Sequence, residues 1–194
     1  MRLLLLARHG QSLFNVAGVV NGDPALDRGL SEEGKAAAKG LGVQLAAVRI
    51  DLCVTSRFPR AQETARLALG GRQVPMHVDE GLDDVRIGEL EGDTLAAYHA
   101  WKEEHRRSDR FPGGESLDEA ALRYAAAFER LAERPEGTVF CVCHEIPVRY
   151  AVNGAAGSRT PDGPFHDVAN ATPYLFDEAS LRRAVEQLRR PQHA

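Results

Sequence analysis

The sequence predicts an α/β fold, a three-layer α/β/α sandwich with a mostly parallel central sheet. Short apolar runs, which are typical of strands buried on both faces, alternate along the chain with longer segments of helical periodicity. Reactive polar residues follow three of those runs directly, and functional sites in parallel sheets lie at the carboxyl ends of strands. We expect all 194 residues to form one domain, because no repeat or linker interrupts the chain.

The composition argues against several classes of function. A net charge of −4 gives no electrostatic reason to expect nucleic-acid binding, and no apolar run reaches the ~20 residues of a membrane span. Three cysteines, Cys53, Cys141 and Cys143, lack a disulfide spacing pattern, and Cys141 and Cys143, which alternate within an apolar run, are expected to be buried thiols. We therefore expect a soluble cytoplasmic protein that binds neither nucleic acid nor membrane. The sequence leaves the oligomeric state open, a homodimer included.

Five strands and six helices are expected in chain order. The strands correspond to the apolar runs at 2–7, 51–55, 74–78 and 138–143, with a last strand within 170–177. The helices span about 32–48, 59–69, 95–107, 117–133, 146–155 and 179–189. Ser31 is a suitable N-cap for the first helix, and Ser116 with Glu119 forms a capping box for the fourth. The tail after Pro191 is expected to fray.

The long segment 8–30 carries several glycines and shows no clear periodicity. A loop of this length in a compact domain is usually functional or disordered. Because its first half adjoins Arg8 and His9, we expect it to contribute to function. The acidic, glycine-punctuated segment 79–94 is also expected to be a loop.

Four polar residues follow three of the predicted strands. Arg8 and His9 end the first strand, Arg57 follows the second, and His144 follows the fourth. Arginine binds phosphoryl oxygens in a bidentate manner, and Arg57 lies at a helix N-terminus, where backbone amides favour an anion. A neutral imidazole is a competent nucleophile, and a second imidazole can donate to transition-state oxygens. The pattern indicates an anion site suited to phosphoryl transfer.

Four motifs resemble, in their order, those of the histidine phosphatase superfamily, in its phosphoglycerate-mutase-like branch. They are RHGQSLFN at 8–15, SRFPRAQETA at 56–65, FPGGESLDEAALR at 111–123 and VCHEIPVR at 142–149. The first motif alone would be a weak signal, whereas the ordered set is specific. The PGGES segment is common in the small phosphatases of this family.

The resemblance implies a metal-independent phosphatase that needs no cofactor and acts on a small phosphorylated metabolite. His9 would be the nucleophile and form a phosphohistidine that water hydrolyses. Arg8, Arg57 and His144 would complete the phosphate pocket, and Asn15 would add a further contact.

The family's proton donor is an acidic residue shortly before a Gly-x-x-x-Gly element, which here is Gly88 to Gly92. The resemblance therefore implies Asp84 as the donor, with the adjacent Asp83 as the alternative. An unperturbed aspartate has a pKa of about 3.9, so burial or nearby negative charge must raise it. A solvated loop position for Asp84 is the other interpretation.

Two further positions leave alternatives open. Glu145 stands where the family commonly has glycine, and an acid beside a phosphate dianion is unfavourable unless it points away. Arg60, one helical turn after Arg57, is interpreted as a structural or surface arginine rather than a ligand. His144 and Glu145 begin like a zinc motif, but Val148 occupies the second histidine position, so we expect no metal site.

Three functions are compatible with these residues. Phosphomonoester hydrolysis is favoured by the short chain and the PGGES segment. Phosphoglycerate mutase chemistry needs a site that excludes water and holds a second charged group, and the basic run 105–110 is either a solvated helix end or a contact for such a group. A non-catalytic binder of phosphorylated ligands is supported only by Glu145.

Overall fold

A computed structural model, which describes residues 1–190, confirms the predicted α/β class. Its sheet has the strand order β3-β2-β4-β1-β5, and β5 is antiparallel to β1 while the other neighbours are parallel. The strands are β1 (Leu3–Arg8), β2 (Leu52–Thr55), β3 (Met76–Val78), β4 (Thr138–Cys143) and β5 (Pro173–Phe176). The tail after Pro191, which the sequence predicts to fray, lies outside the described residues.

The helices of residues 1–190 are α1 (Leu13–Ala17), α2 (Glu32–Gln44), α3 (Pro59–Leu69), α4 (Leu95–Glu104), α5 (Leu117–Ala132), α6 (Glu145–Ala155) and α7 (Glu178–Arg189). None of them is long and apolar enough to cross a membrane. The predicted caps are present: the Ser31 hydroxyl accepts a bond from the backbone of Gly34, and Ser116 with Glu119 forms its capping box.

Some boundaries differ from the predictions. The segment 8–30 contains the short helix α1, whose residues are all at least partly exposed and therefore give no apolar periodicity. The helix α2 ends at Gln44 rather than near Val48, because the chain tightens into three-residue turns, such as the bond from the Val48 amide to the Leu45 carbonyl. Two 3₁₀ turns, at Glu80–Leu82 and Gly88–Leu90, lie in the predicted loop 79–94.

Side chains of the inner strands alternate between two apolar cores. One core, with α5, α6 and α7, takes residues such as Leu4, Leu6, Val139 and Cys141. The other, with α2 and α3, takes Leu5, Ala7, Phe140 and Val142. Cys141 and Cys143 are buried free thiols, as predicted, and so is Cys53. Burial on both faces explains the continuous apolar runs of the sequence.

The strand order brings distant chain segments together. Arg8 at the end of β1 pairs in register with Cys143 at the end of β4, and the His9 amide donates to the Cys143 carbonyl at 3.0 Å. The Ser56 amide, just after β2, donates to the carbonyl of Val142 at 3.2 Å. His9, Ser56 and the residue after Cys143 therefore meet at one edge of the sheet.

Two glycines allow the loop after β1 to pack against α2. A Cβ atom at Gly34 would lie 2.0 Å from the carbonyl oxygen of Gln11, and one at Gly10 would lie 2.5 Å from the carbonyl oxygen of Gly34. Backbone atoms cannot move aside as a side chain can, so any larger residue would displace the segment that carries His9.

We expect Gly34→Ala to lower the free energy of unfolding by about 1–3 kcal/mol, because the methyl group overpacks a backbone contact. Gly40→Ala, in the same helix, is the matched control: its Cβ would meet nothing within 4 Å, and we expect it to stabilise the protein by up to about 1 kcal/mol. Urea unfolding measures both, and equal effects of the two substitutions would contradict the close packing.

Candidate active site

A pocket opens at the carboxyl ends of β1 and β4. Its empty volume, which includes open solvent, is about 750 Å³. Its polar lining includes Arg8, His9, Arg60, Asp84 and Glu145, and the rest of its wall is largely apolar.

His9 is buried in this pocket, and only one of its ring nitrogens carries a proton. Its Nδ1 lies 2.6 Å from the carbonyl oxygen of Gly10. A carbonyl only accepts hydrogen bonds, so Nδ1 carries the proton and the Nε2 of the neutral ring keeps its lone pair. Burial, and then the guanidinium groups of Arg60 and Arg8, hold the pKa of His9 well below its ordinary value. The imidazole is thus kept neutral, as a nucleophile requires.

Arg60 occupies the centre of the pocket, contrary to the interpretation of it as a structural or surface residue. Its guanidinium donates from Nε to Nε2 of His9 at 3.1 Å, and a terminal nitrogen lies 3.2 Å from Nδ1 of His144 and 3.3 Å from Oδ2 of Asp84. The fully buried carboxylate of Asp27 accepts the Arg60 amide at 2.7 Å and balances its charge. One cation therefore contacts three candidate reactive groups.

The structure does not bring Arg57 to this pocket, contrary to the sequence-based prediction. Its partly exposed side chain pairs with Asp83 at 2.6 Å and approaches Glu80 at 3.6 Å. Arg57 precedes α3 and lies off the helix face that packs on the sheet, so its side chain projects to the other side of the segment 83–91.

Helical spacing contains the signal that identifies Arg60. The buried face of α3 consists of Arg60, Ala61, Thr64, Ala65, Ala68 and Leu69. Small residues spaced by one helical turn indicate a helix that packs closely. An arginine on that buried face needs polar partners, which indicates a polar site at this position. Thr64, one turn after Arg60, accepts the amide of Gly10 at 2.9 Å and fixes the loop that carries His9.

His144 follows β4 directly and is fully buried; it contacts Arg60 and Asp84, which line the pocket. Its Nε2 lies 2.8 Å from the Ser56 hydroxyl, and its ring centre is 5.3 Å from that of His9. Burial, followed by the charge of Arg60, lowers the pKa of His144 well below its ordinary value. Because a hydroxyl can donate or accept, Ser56 allows Nδ1 to present either a proton or a lone pair to the pocket.

The two adjacent aspartates have different environments. Asp84 faces the pocket, with Oδ2 3.5 Å from Nδ1 of His144, and burial raises its pKa although Arg60 opposes the shift. Asp83 is 1% exposed, and its two oxygens bind the amide and the side chain of Arg57. Only Asp84 is therefore placed to give a proton to a ligand in this pocket.

The loop that carries Asp84 is held by the motif FPGGES and the helix after it. Arg123 in α5 donates to the backbone oxygens of Asp83 at 2.9 Å and Asp84 at 3.2 Å, and it pairs with Glu115 at 2.5 Å. Glu115 also accepts the backbone amide of Arg86 at 3.0 Å. Bonds on both sides of Asp84 restrict the movement of its carboxyl group.

Arg8 provides a second cation at the pocket. One terminal nitrogen bonds to Oε2 of Glu145 at 3.0 Å and to the carbonyl of Val168 at 2.9 Å. Its Nε is buried and has no hydrogen-bond partner among the described residues. Glu145 therefore does not point away from the pocket. It lies in the pocket wall, where its carboxylate neutralises the charge of Arg8.

Asn15 lies at the rim of the pocket. Its Oδ1 accepts a hydrogen bond from the backbone amide of Ser12 at 3.0 Å, and the backbone amide of Asn15 donates to the Ser12 hydroxyl. These two reciprocal bonds cap α1. The nitrogen Nδ2 is the part of Asn15 that remains for a ligand.

We expect the titrations of His9 and His144, followed by proton–nitrogen NMR of the imidazoles, to lie below pH 6.5. Arg60→Met should raise both pKa values, because a neighbouring cation opposes protonation. His9→Asn assigns the signals, and Arg182→Met, in an exposed ion pair of α7, is the matched control. Unchanged histidine titrations in Arg60→Met would contradict the central placement of Arg60.

The sequence is similar to those of curated enzymes. Over 133 residues, which are 63% of this chain and 60% of the relative, the sequence is 38% identical to 2,3-bisphosphoglycerate-dependent phosphoglycerate mutase 2 of Gloeobacter violaceus. Over 88 residues, 45% of this chain and 43% of the relative, it is 39% identical to adenosylcobalamin/alpha-ribazole phosphatase of Salmonella typhimurium. The chain thus spans less than two thirds of the length of these curated relatives.

Solved structures match over more of the chain. The alpha-ribazole phosphatase from Shigella flexneri superimposes with a TM-score of 0.75 at 26% identity, covering 90% of this chain and 95% of the other. YhfR of Bacillus stearothermophilus gives a TM-score of 0.73 at 26% identity, covering 94% and 98%. The family model for the histidine phosphatase superfamily (branch 1) matches residues 4–189. The chain therefore belongs to branch 1 of the histidine phosphatase superfamily.

Proposed function

We propose that this protein hydrolyses phosphomonoesters through a phosphohistidine intermediate on His9. The observation that carries the proposal is the position of Nε2 of His9, which faces Arg60 at 3.1 Å while its Nδ1 proton is held by Gly10. An incoming phosphoryl group would displace this hydrogen bond, so that its oxygens bind the guanidinium and its phosphorus faces the lone pair of Nε2.

In the first step, Nε2 of His9 attacks phosphorus and the bond to the ester oxygen breaks. Arg60, Arg8 and His144 stabilise the charge on the non-bridging oxygens. Asp84 gives its proton to the leaving oxygen, so an alcohol departs rather than an alkoxide. The first step ends with a phosphohistidine and an ionised Asp84.

In the second step, water attacks the phosphohistidine and the nitrogen–phosphorus bond breaks. The Asp84 carboxylate takes the proton from water, which restores both His9 and Asp84. The opposite pKa shifts suit this cycle: the lowered pKa keeps His9 neutral, and the raised pKa keeps Asp84 protonated further up the pH scale. Both forms coexist on the acidic side of neutrality, where we expect the highest turnover.

We expect a radioactive phosphodonor to label the protein with an acid-labile, base-stable phosphate, as a phosphohistidine requires. His9→Ala should lose both the label and the turnover. His77→Ala, at an exposed position on β3, is the matched control and should keep both. Phosphoester hydrolysis by a folded His9→Ala protein at the wild-type rate would overturn the proposal.

Asp84→Asn should slow the release of poorly leaving alcohols by about 10²–10⁴-fold, because no proton reaches the ester oxygen. Hydrolysis of p-nitrophenyl phosphate, whose leaving group needs little protonation, should fall much less. Asp93→Asn, at an exposed loop position, is the control. If Asp83→Asn showed this dependence on the leaving group and Asp84→Asn did not, the donor role of Asp84 would be refuted.

A second candidate, phosphoglycerate mutase activity, is supported by the 38% identity to the Gloeobacter mutase. A mutase passes the phosphoryl group from the histidine to a second site on a phosphoglycerate rather than to water. Interconversion of 2- and 3-phosphoglycerate without release of inorganic phosphate would favour it. Release of phosphate at the rate of alcohol formation would favour the phosphatase.

A further inference from the structure

The pocket lining also contains apolar side chains that the proposed chemistry does not use. We call them the apolar wall, which consists of Phe14, Val19, Val20, Val85, Ile87, Leu95, Tyr98 and Ile146. All of them come from loops or from the helices α1, α4 and α6, and none lies in a strand.

Backbone bonds hold two parts of the apolar wall together. The Leu95 amide donates to the carbonyl of Gly18 at 3.0 Å, and the Val20 amide donates to the carbonyl of Asp93 at 2.9 Å. Leu95 is nevertheless 48% exposed. A bulky apolar side chain that is fixed at the mouth of a pocket and still open to solvent is suited to contact a bound molecule.

The arginines of the pocket are already paired with acidic side chains. A substrate that carries an anionic group besides its phosphoryl group would therefore find no unpaired arginine. The arginines in its lining are Arg8 and Arg60. Arg8 is paired with Glu145, while Arg60 contacts Asp84 and the buried Asp27. One incoming phosphoryl group can compete for these two cations. A second anion at the apolar wall would find no further arginine or lysine among the described lining residues; the ammonium of Lys102 lies outside the lining, 5.3 Å from the ring centre of Tyr98.

Glu145 adds repulsion to this lack of a partner. Its side chain is 38% exposed, it lines the pocket beside Ile146, and its other oxygen lies 3.8 Å from Arg149. Arg149 is itself held at 3.1 Å by Asp162, so its charge is shared with two acids. A carboxylate on the alcohol part of a substrate would therefore compete with Glu145 for Arg8 and Arg149 instead of meeting an unpaired cation.

We propose that the pocket selects phosphomonoesters of uncharged alcohols with an apolar body, and that Glu145 discriminates against alcohols that carry a second anionic group. This inference rests on the proposed hydrolysis at His9 and specifies which esters reach it. The apolar wall supplies the attraction, and the carboxylate supplies the rejection.

The first test measures kcat/KM for ethyl, butyl and hexyl phosphate. Burial of each methylene is expected to raise kcat/KM about three- to fourfold until the wall is covered. Leu95→Asn should flatten this series. Leu122→Asn is the matched control, since Leu122 is 54% exposed on α5 and does not line the pocket. A flat series in the wild-type protein, or equal series in both variants, would overturn the role of the apolar wall.

The second test compares glycerol 3-phosphate with 3-phosphoglycerate, which differ by a hydroxymethyl group in place of a carboxylate. We expect wild-type protein to prefer glycerol 3-phosphate at least tenfold, and Glu145→Gln to reduce that preference at least fivefold. The absolute rates of Glu145→Gln can change, because Arg8 loses its partner, but the ratios of kcat/KM between ethyl, butyl and hexyl phosphate should stay as in the wild type. Glu103→Gln, at an exposed position in α4, is the control. A preference for 3-phosphoglycerate, or an unchanged ratio in Glu145→Gln, would refute the rejection by Glu145.

Failure of the inference differs from failure of the proposed function. If no ester, p-nitrophenyl phosphate included, is hydrolysed and no phosphohistidine forms, the proposed hydrolysis fails. If esters are hydrolysed through His9 without the expected preferences, only the substrate class assigned here fails.

Discussion

The arrangement of the pocket depends on one buried cation, the guanidinium of Arg60. Asp27 neutralises it, and the side-chain oxygen of Asn21 accepts one of its hydrogen bonds. Loss of one partner of a buried ion pair typically costs about 3–5 kcal/mol. The part of the long loop that supplies these two acceptors is therefore fixed by the same charge that faces His9. Glu91 extends the network, because it accepts from the Asn21 side chain at 2.6 Å and the Gly22 amide at 2.7 Å.

The sheet determines which groups meet that cation. The neighbouring strands β2, β4 and β1 run parallel, so their carboxyl ends lie at one edge and present Ser56, His144 and His9 there. Strand β5 is antiparallel, and the segment before it supplies Asn170, whose side chain donates to the carbonyl of His9 at 2.7 Å. The backbone amide and the backbone carbonyl of the candidate nucleophile are thus both hydrogen-bonded.

The two walls of the pocket have different origins. Core strands and α3 provide the end of the pocket where we propose that the phosphoryl group binds, and displacement of a residue there would also disturb the packing. Loops and the start of α4 provide most of the apolar wall, where changes in side chains leave the core intact. A shared fold with one chemistry and many substrates is the expected consequence of such a division. It also explains how one family includes mutases and phosphatases similar to this chain.

The sequence by itself determined the layers of the fold and the positions of His9 and His144, because apolar runs that end in polar residues report strand ends locally. The family resemblance added Asp84 as the candidate acid, with Asp83 as the alternative. Only the tertiary structure showed that Asp84 lines the pocket while Asp83 binds Arg57, and that Arg60 rather than Arg57 is in the lining. The side chains of adjacent residues, or of residues around the start of a helix, point in different directions. The packing of α3 and α5 against the sheet decides which of these side chains faces the pocket.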